Sequence, residues 1–228
     1  MDKTDNLPQN CDQLKELAIL GNTEAFLKLF SLATEYAGCG DEVFDYRCIG
    51  GDPAIREWID KRLAPYAKSA SDVVRGAYAR MLLYDAESFS ADEPQRAVDQ
   101  MNRAFLISEE LVASGNPHIT VGSFFFHPSH VIRRTAFRLE DLYYSLSDFQ
   151  NTSKFAFYAL DTQYYNTDAL LKESFAKVTD KLSRLFGQGE YGNAIGIFHQ
   201  FVKLAVKYEE AHEFIPIDEE VVRFVERL

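Results

Sequence analysis

The chain has 228 residues and carries 24 Lys and Arg against 35 Asp and Glu, a formal net charge of −11. That balance works against nucleic-acid phosphates and anionic membrane surfaces, whose affinity comes from clustered cations, and favours a basic protein as partner. Hydrophobic residues make up 46% and charged residues 26%, an ordinary soluble composition whose longest apolar runs fall far short of a bilayer span.

The opening segment "MDKTDNLPQNCDQ" is polar, without the charged-then-apolar layout of a secretory leader. Cys11, Cys39 and Cys48 cannot all pair within one chain, and none forms a C-x-x-C motif, so a reducing, cytoplasmic setting is expected. After this segment, helix signals recur and almost nothing alternates as a strand would. Asn22 or Thr23 is placed to cap "EAFLKLFSLATEYAG". Asp52-Pro53 opens "AIREWIDKRLAPY", with proline at the first helical position. Ser71-Asp72 opens "VVRGAYARMLLYDAE", apolar or small on two sides through Gly76, Ala79, Leu83 and Ala86, and therefore predicted to be sandwiched. Ser90 and Glu93 have capping-box spacing before a long helix ending at Gly115.

"HITVGSFFF" is rich in β-branched and aromatic residues and is the one place where a short extended piece fits. Pro128 starts the next helix, whose buried stripe runs through Val131, Ile132, Thr135, Ala136, Leu139, Leu142, Tyr143 and Leu146. Thr152 or Ser153 begins a further helix and Thr167 another. The helix through Ala194 leaves His199, Gln200, Lys203 and Lys207 for water, and Pro216 with Asp218 starts a short terminal helix. About nine helices with short connections predict an all-α fold of antiparallel hairpins over residues 1–228, a single α-solenoid or compact helical-repeat domain.

Two stretches resemble known repeat families. "SDVVRGAYARML" at 71–82 and "SHVIRRTAFRLE" at 129–140 align without a gap and resemble HEAT-type repeats at the start of the second helix, where a turn is followed by a Val-Arg pair and an alanine. "LFGQGEYGNAIGIFHQF" is similar to the turn and second helix of a tetratricopeptide repeat at Gly189, Tyr191, Ala194 and Phe198. Both resemblances imply an irregular helical-repeat protein that presents an extended binding face.

Motifs of specific chemistry are weak. "GQGEYG" satisfies G-x-G-x-x-G, but it follows a helix rather than a strand, and Glu190 sets negative charge where a phosphate would sit. His127 and His130 have a spacing that brings two imidazoles near one metal, yet a closed zinc site needs two further ligands and the cysteines form no knuckle. Cys39 lies in a glycine-rich loop beside Asp41 and Glu42, which would raise its thiol pKa and blunt it as a nucleophile. Glu109-Glu110 and Glu219-Glu220 are adjacent, so on a helix their carboxylates diverge. No cofactor and no metal are expected.

Opposite the buried stripe of 128–145, Phe137 and Tyr144 lie seven residues apart, flanked by Arg133, Arg134, Glu140 and Asp141. Tyr158 and Tyr165 repeat the spacing one helix later. Aromatic and arginine residues on a rigid face are common interface anchors, so these eight residues form the expected partner-binding surface. The functional expectation is a non-enzymatic module that binds and regulates or inhibits another protein, by analogy an immunity protein or an effector chaperone. The rival expectation is a small all-α hydrolase with a groove near residues 115–134, where a long loop could serve as a lid. A homodimeric scaffold is a third.

Overall fold

A computed structural model describes residues 10–34, 58–115, 118–121, 124–160 and 169–212. The fold is all-α, with eight α-helices and one short hairpin among the described residues. None of these helices is long and apolar enough to cross a membrane. Two compact units, Met1–Ile132 and Arg133–Leu228, divide the chain, with the division falling inside one helix.

In the first unit, α1 (Cys11–Ile19) and α2 (Thr23–Thr34) form a hairpin that turns at Gly21, whose φ of +88° favours glycine. Asn10 caps α1 by accepting from Asp12 N–H at 2.8 Å, and Asn22, one of the two predicted caps, accepts from Ala25 N–H at 3.0 Å. Leu14 and Ala18 of α1 are buried, as are Ala25, Phe26, Leu29 and Phe30 of α2. Tyr66 fixes this hairpin from outside: its hydroxyl donates to Ala18 C=O at 2.7 Å and its ring stacks on Phe26 at 4.4 Å. Cys11 is disulfide-bonded, and its partner cysteine lies outside the described residues.

Of the helix expected after Asp52-Pro53, only the end is described, and it is not plain α-helix. A π-helical turn, Trp58–Arg62, gives way to a 3-10 turn, Ala64–Lys68. Pro65 lacks the N–H that an α-helical ladder would require there, so the chain tightens instead.

The next helix, α3 (Asp72–Phe89), follows Ser71, whose hydroxyl faces Val74 N–H at 3.5 Å. Every residue from Gly76 to Ala86 is buried, as a sandwiched helix requires. Its partner α4 (Pro94–Ala113) starts on proline, and the predicted capping box does not form. Ser90 instead donates to Glu87 C=O at 3.2 Å at the end of α3, and Pro94 supplies a first residue that needs no hydrogen-bond acceptor.

Several polar groups buried with α3 are paired, although Gln100 Oε1 and Arg75 Nε are not. Arg80 donates to the Tyr84 hydroxyl at 2.8 Å and lies 4.7 Å from the centre of the Phe126 ring. Asp85 accepts from Gln100 of α4 at 2.6 Å. Tyr78 donates to Ile59 C=O at 3.3 Å, and burial, with Asp60 and Asp85 nearby and only Arg103 opposing, pushes its phenol up to about 12.

"HITVGSFFF" is extended: β1 (Ile119–Val121) pairs antiparallel with β2 (Phe124–Phe126), Ile119 opposite Phe126. The hairpin docks on α3 at Gly76, where a Cβ would lie 2.9 Å from Ile119 Cγ1. Gly76 is therefore the gap that admits the strand.

Helix α5 (Pro128–Ser145) contains the division between the units. In the second unit it ends at Ser147, whose φ is +60°, and α6 (Phe149–Leu160) follows. That start lies four residues before the one a Thr152 cap would give, because Asp148 is the cap: its side chain accepts from Asn151 N–H at 3.2 Å. Thr152 is buried inside the helix and donates back to Asp148 C=O. The last pair, α7 (Ala169–Gly187) and α8 (Tyr191–His212), is joined by a turn through Gly189, φ +78°. This turn is the "GQGEYG" motif, a helix-to-helix reversal. Among the described residues, the unit's buried apolar core includes Ala136, Leu139, Phe155, Val178, Leu182, Ile195, Phe198 and Phe201.

The two HEAT-like stretches differ in their surroundings. Ser71 precedes its helix whereas Ser129 lies within the first turn of α5; Arg80 is buried whereas Arg138 is exposed. The predicted terminal helix from Pro216 lies outside the described residues.

Candidate functional site

The most concentrated ionisable chemistry of the second unit lies where α5 meets α8. On α5, Glu140 and Tyr144 are four residues apart and so share a face; on α8, Gly196, His199 and Lys203 do the same. Glu140 is 0% exposed and His199 is 6% exposed. His199 Nδ1 lies 2.6 Å from Glu140 Oε1, and its other nitrogen, Nε2, lies 3.7 Å from Asp141 Oδ1. Lys203 Nζ closes the outer edge at 2.8 Å from the same Asp141 oxygen. The Tyr144 ring lies flat on the imidazole, centroids 3.7 Å apart and planes within 6°. Gly196 faces the same ring: a Cβ there would stand in ordinary contact, 3.9 Å from the Tyr144 hydroxyl.

Burial sets the protonation of this pair. It pushes the Glu140 carboxyl up to about 8, with the Asp141 charge adding and Lys203 opposing. It holds the His199 imidazole below its ordinary value, with Lys203 adding and Asp141 opposing. At neutral pH the protonated carboxyl therefore donates to Nδ1, and the remaining imidazole proton sits on Nε2, toward Asp141. Glu140 Oε2 has no hydrogen-bond partner. The arrangement can hold a proton between two helices. Its side open to solvent is closed by Tyr144 and the Asp141–Lys203 ion pair.

Of the eight residues expected to form a partner surface, the structure gathers Glu140, Asp141 and Tyr144 around His199. Glu140 has no exposed surface. Arg133 and Arg134 are half-buried on α5, as is Phe137, with the Arg138 guanidinium 5.5 Å from its ring centre. Tyr158 is half-buried beside Phe155 at 6.3 Å, and Tyr165 lies outside the described residues. His199 and Lys203 are the residues the sequence reading missed, having placed both on the wet strip of α8. Lys203 is exposed, but His199 falls in the row Ile195, His199, Val202, whose steps of four and three mark a buried face. That spacing was the available signal.

Beside this cluster is an exposed apolar corner. Leu146 and Phe149 flank the turn between α5 and α6, 40% and 44% exposed, and the Phe149 ring lies 6.2 Å from that of Tyr144. The other expected sites resolve differently. His127 stands immediately before α5 with His118 and His130 near it, but among the described residues no group of three His, Cys, Asp or Glu is placed to hold a metal ion. Glu110 pairs with Arg75 at 3.2 Å, a surface ion pair of little energetic weight. Cys39 and the Glu219-Glu220 pair lie outside the described residues. In comparisons with known protein families, with curated protein sequences and with solved structures, the chain matches none.

Proposed function

We propose that this protein is a non-enzymatic binding module that engages a basic partner protein and regulates or inhibits it. The observation that carries this reading is the corner formed by Tyr144, Leu146 and Phe149, apolar and aromatic, with the acidic Asp148 in the turn between them, on a chain of net charge −11. Large apolar side chains clustered beside acidic groups fit a partner that offers apolar contact ringed by lysine or arginine. Roles as an immunity protein or an effector chaperone are compatible with this chemistry by analogy alone.

The test compares the wild type with a Leu146→Ser, Phe149→Ala double variant, immobilised and exposed to the same native extract at low and high salt. Partner capture that is lost in the variant and weakened by salt supports the reading. Equal capture by both proteins, or none by either, overturns it.

A further inference from the structure

We propose that His118, His127 and His130 form an acid-sensitive latch at the junction of the β1–β2 hairpin with α5. His127 precedes Pro128, and its ring nitrogen Nδ1 accepts from Ser129 N–H at 3.1 Å, with the Ser129 hydroxyl on the same nitrogen. This is the work an N-cap side chain does with oxygen: it satisfies a backbone donor that the first turn of a helix leaves open. A histidine performs it only while Nδ1 keeps its lone pair. Once protonated, the imidazole has two donors and no acceptor, and the cap becomes a donor facing a donor.

The two neighbours make that proton costlier. The His118 ring, just ahead of β1, meets the His127 ring edge-on at 5.4 Å, and the His130 ring, one turn into α5, lies 6.2 Å away. Among the described residues these are the titratable groups that act on His127, one from just ahead of the hairpin and one from the helix. Each carries charge of the same sign when protonated. Burial first, and then His118 and His130, hold the His127 imidazole below its ordinary value. A histidine whose folded value is depressed contributes stability that is full above its unfolded value, about 6.5, and is lost as the pH falls toward the folded one. Acid therefore weakens this junction and neutral pH restores it. Because β1 is seated in the gap at Gly76, the element released first is the start of α5, while β1 stays on α3.

Amide hydrogen exchange on the full chain, read as protection factors so that the intrinsic pH effect is removed, tests the latch. Between pH 7.5 and pH 5 the amides of residues 129–132 are expected to lose roughly tenfold in protection, as loss of a cap implies. Those of 77–86 in α3 should hold. His127→Asn is the discriminating variant, since its side-chain oxygen caps at either pH, so its protection at 129–132 should be independent of pH. His118→Gln should reduce the acid effect while leaving the cap intact. An equal acid loss in His127→Asn, or none in the wild type, overturns the proposal.

Discussion

Two buried polar networks, one in each unit, use burial to opposite ends. Around α3 and α4, Arg80 meets a phenol and Asp85 meets the Gln100 amide, which also donates to Leu82 C=O. Gln100 has no titratable group, so the buried Asp85 there faces a partner that is constant. Between α5 and α8, Glu140 and His199 face each other, and both are pushed by burial toward their neutral forms. One network is a permanent fixture of its core; the other holds only in the protonation state that burial selects.

Three measurements sharpen or break this contrast. The largest effect is expected from Asp85→Ala, which strips a fully buried acceptor from Gln100 and should cost about 2–4 kcal/mol in chemical unfolding, with little dependence on pH between 6 and 8. A loss below about 1 kcal/mol would show that the amide finds another acceptor.

Glu140→Gln should have a smaller effect of different character. Because the folded carboxyl is raised from 4.5 to about 8, the wild type draws stability from Glu140 that is complete in acid and drains away as the pH rises through that range. The glutamine amide can still donate to Nδ1 without titrating. Its unfolding midpoint should match the wild type near pH 4, where the carboxyl is neutral folded or unfolded, and exceed it by a growing margin from pH 6 to pH 9; parallel curves would exclude Glu140 as the titrating group. Smallest is Tyr144→Ala, expected to cost about 1 kcal/mol for the lost stack. It should also move the His199 titration, followed by its ring proton resonances, up toward the ordinary imidazole range.

Helix positions were largely legible in the sequence because caps, prolines and apolar spacing are local. The capping errors share one cause. Ser90 and Thr152 each have the chemistry of a cap, but α4 starts on Pro94 without a side-chain cap and Asp148 caps α6, and only the folded turn shows which carbonyl each hydroxyl reaches. The site was legible by halves. Glu140, Asp141 and Tyr144 stood out on α5 as members of the aromatic and charged face opposite its buried stripe. That they turn toward α8 depends on a contact 59 residues away, between Glu140 and His199. Spacing along one helix cannot encode such a contact. Nor does composition anticipate the burial that makes a carboxyl and an imidazole share a proton in a chain so rich in solvated charge.

The close approach of Ile119 to Gly76 also bears on how this chain can change over generations. A methyl group added at 76 favours the helix by about 1 kcal/mol, yet it collides with the strand. Position 76 is thus free to drift only in company with 119. A library randomising both should return small-with-large pairs in either order and deplete large-with-large ones, so that two sites 43 residues apart in sequence are inherited as one.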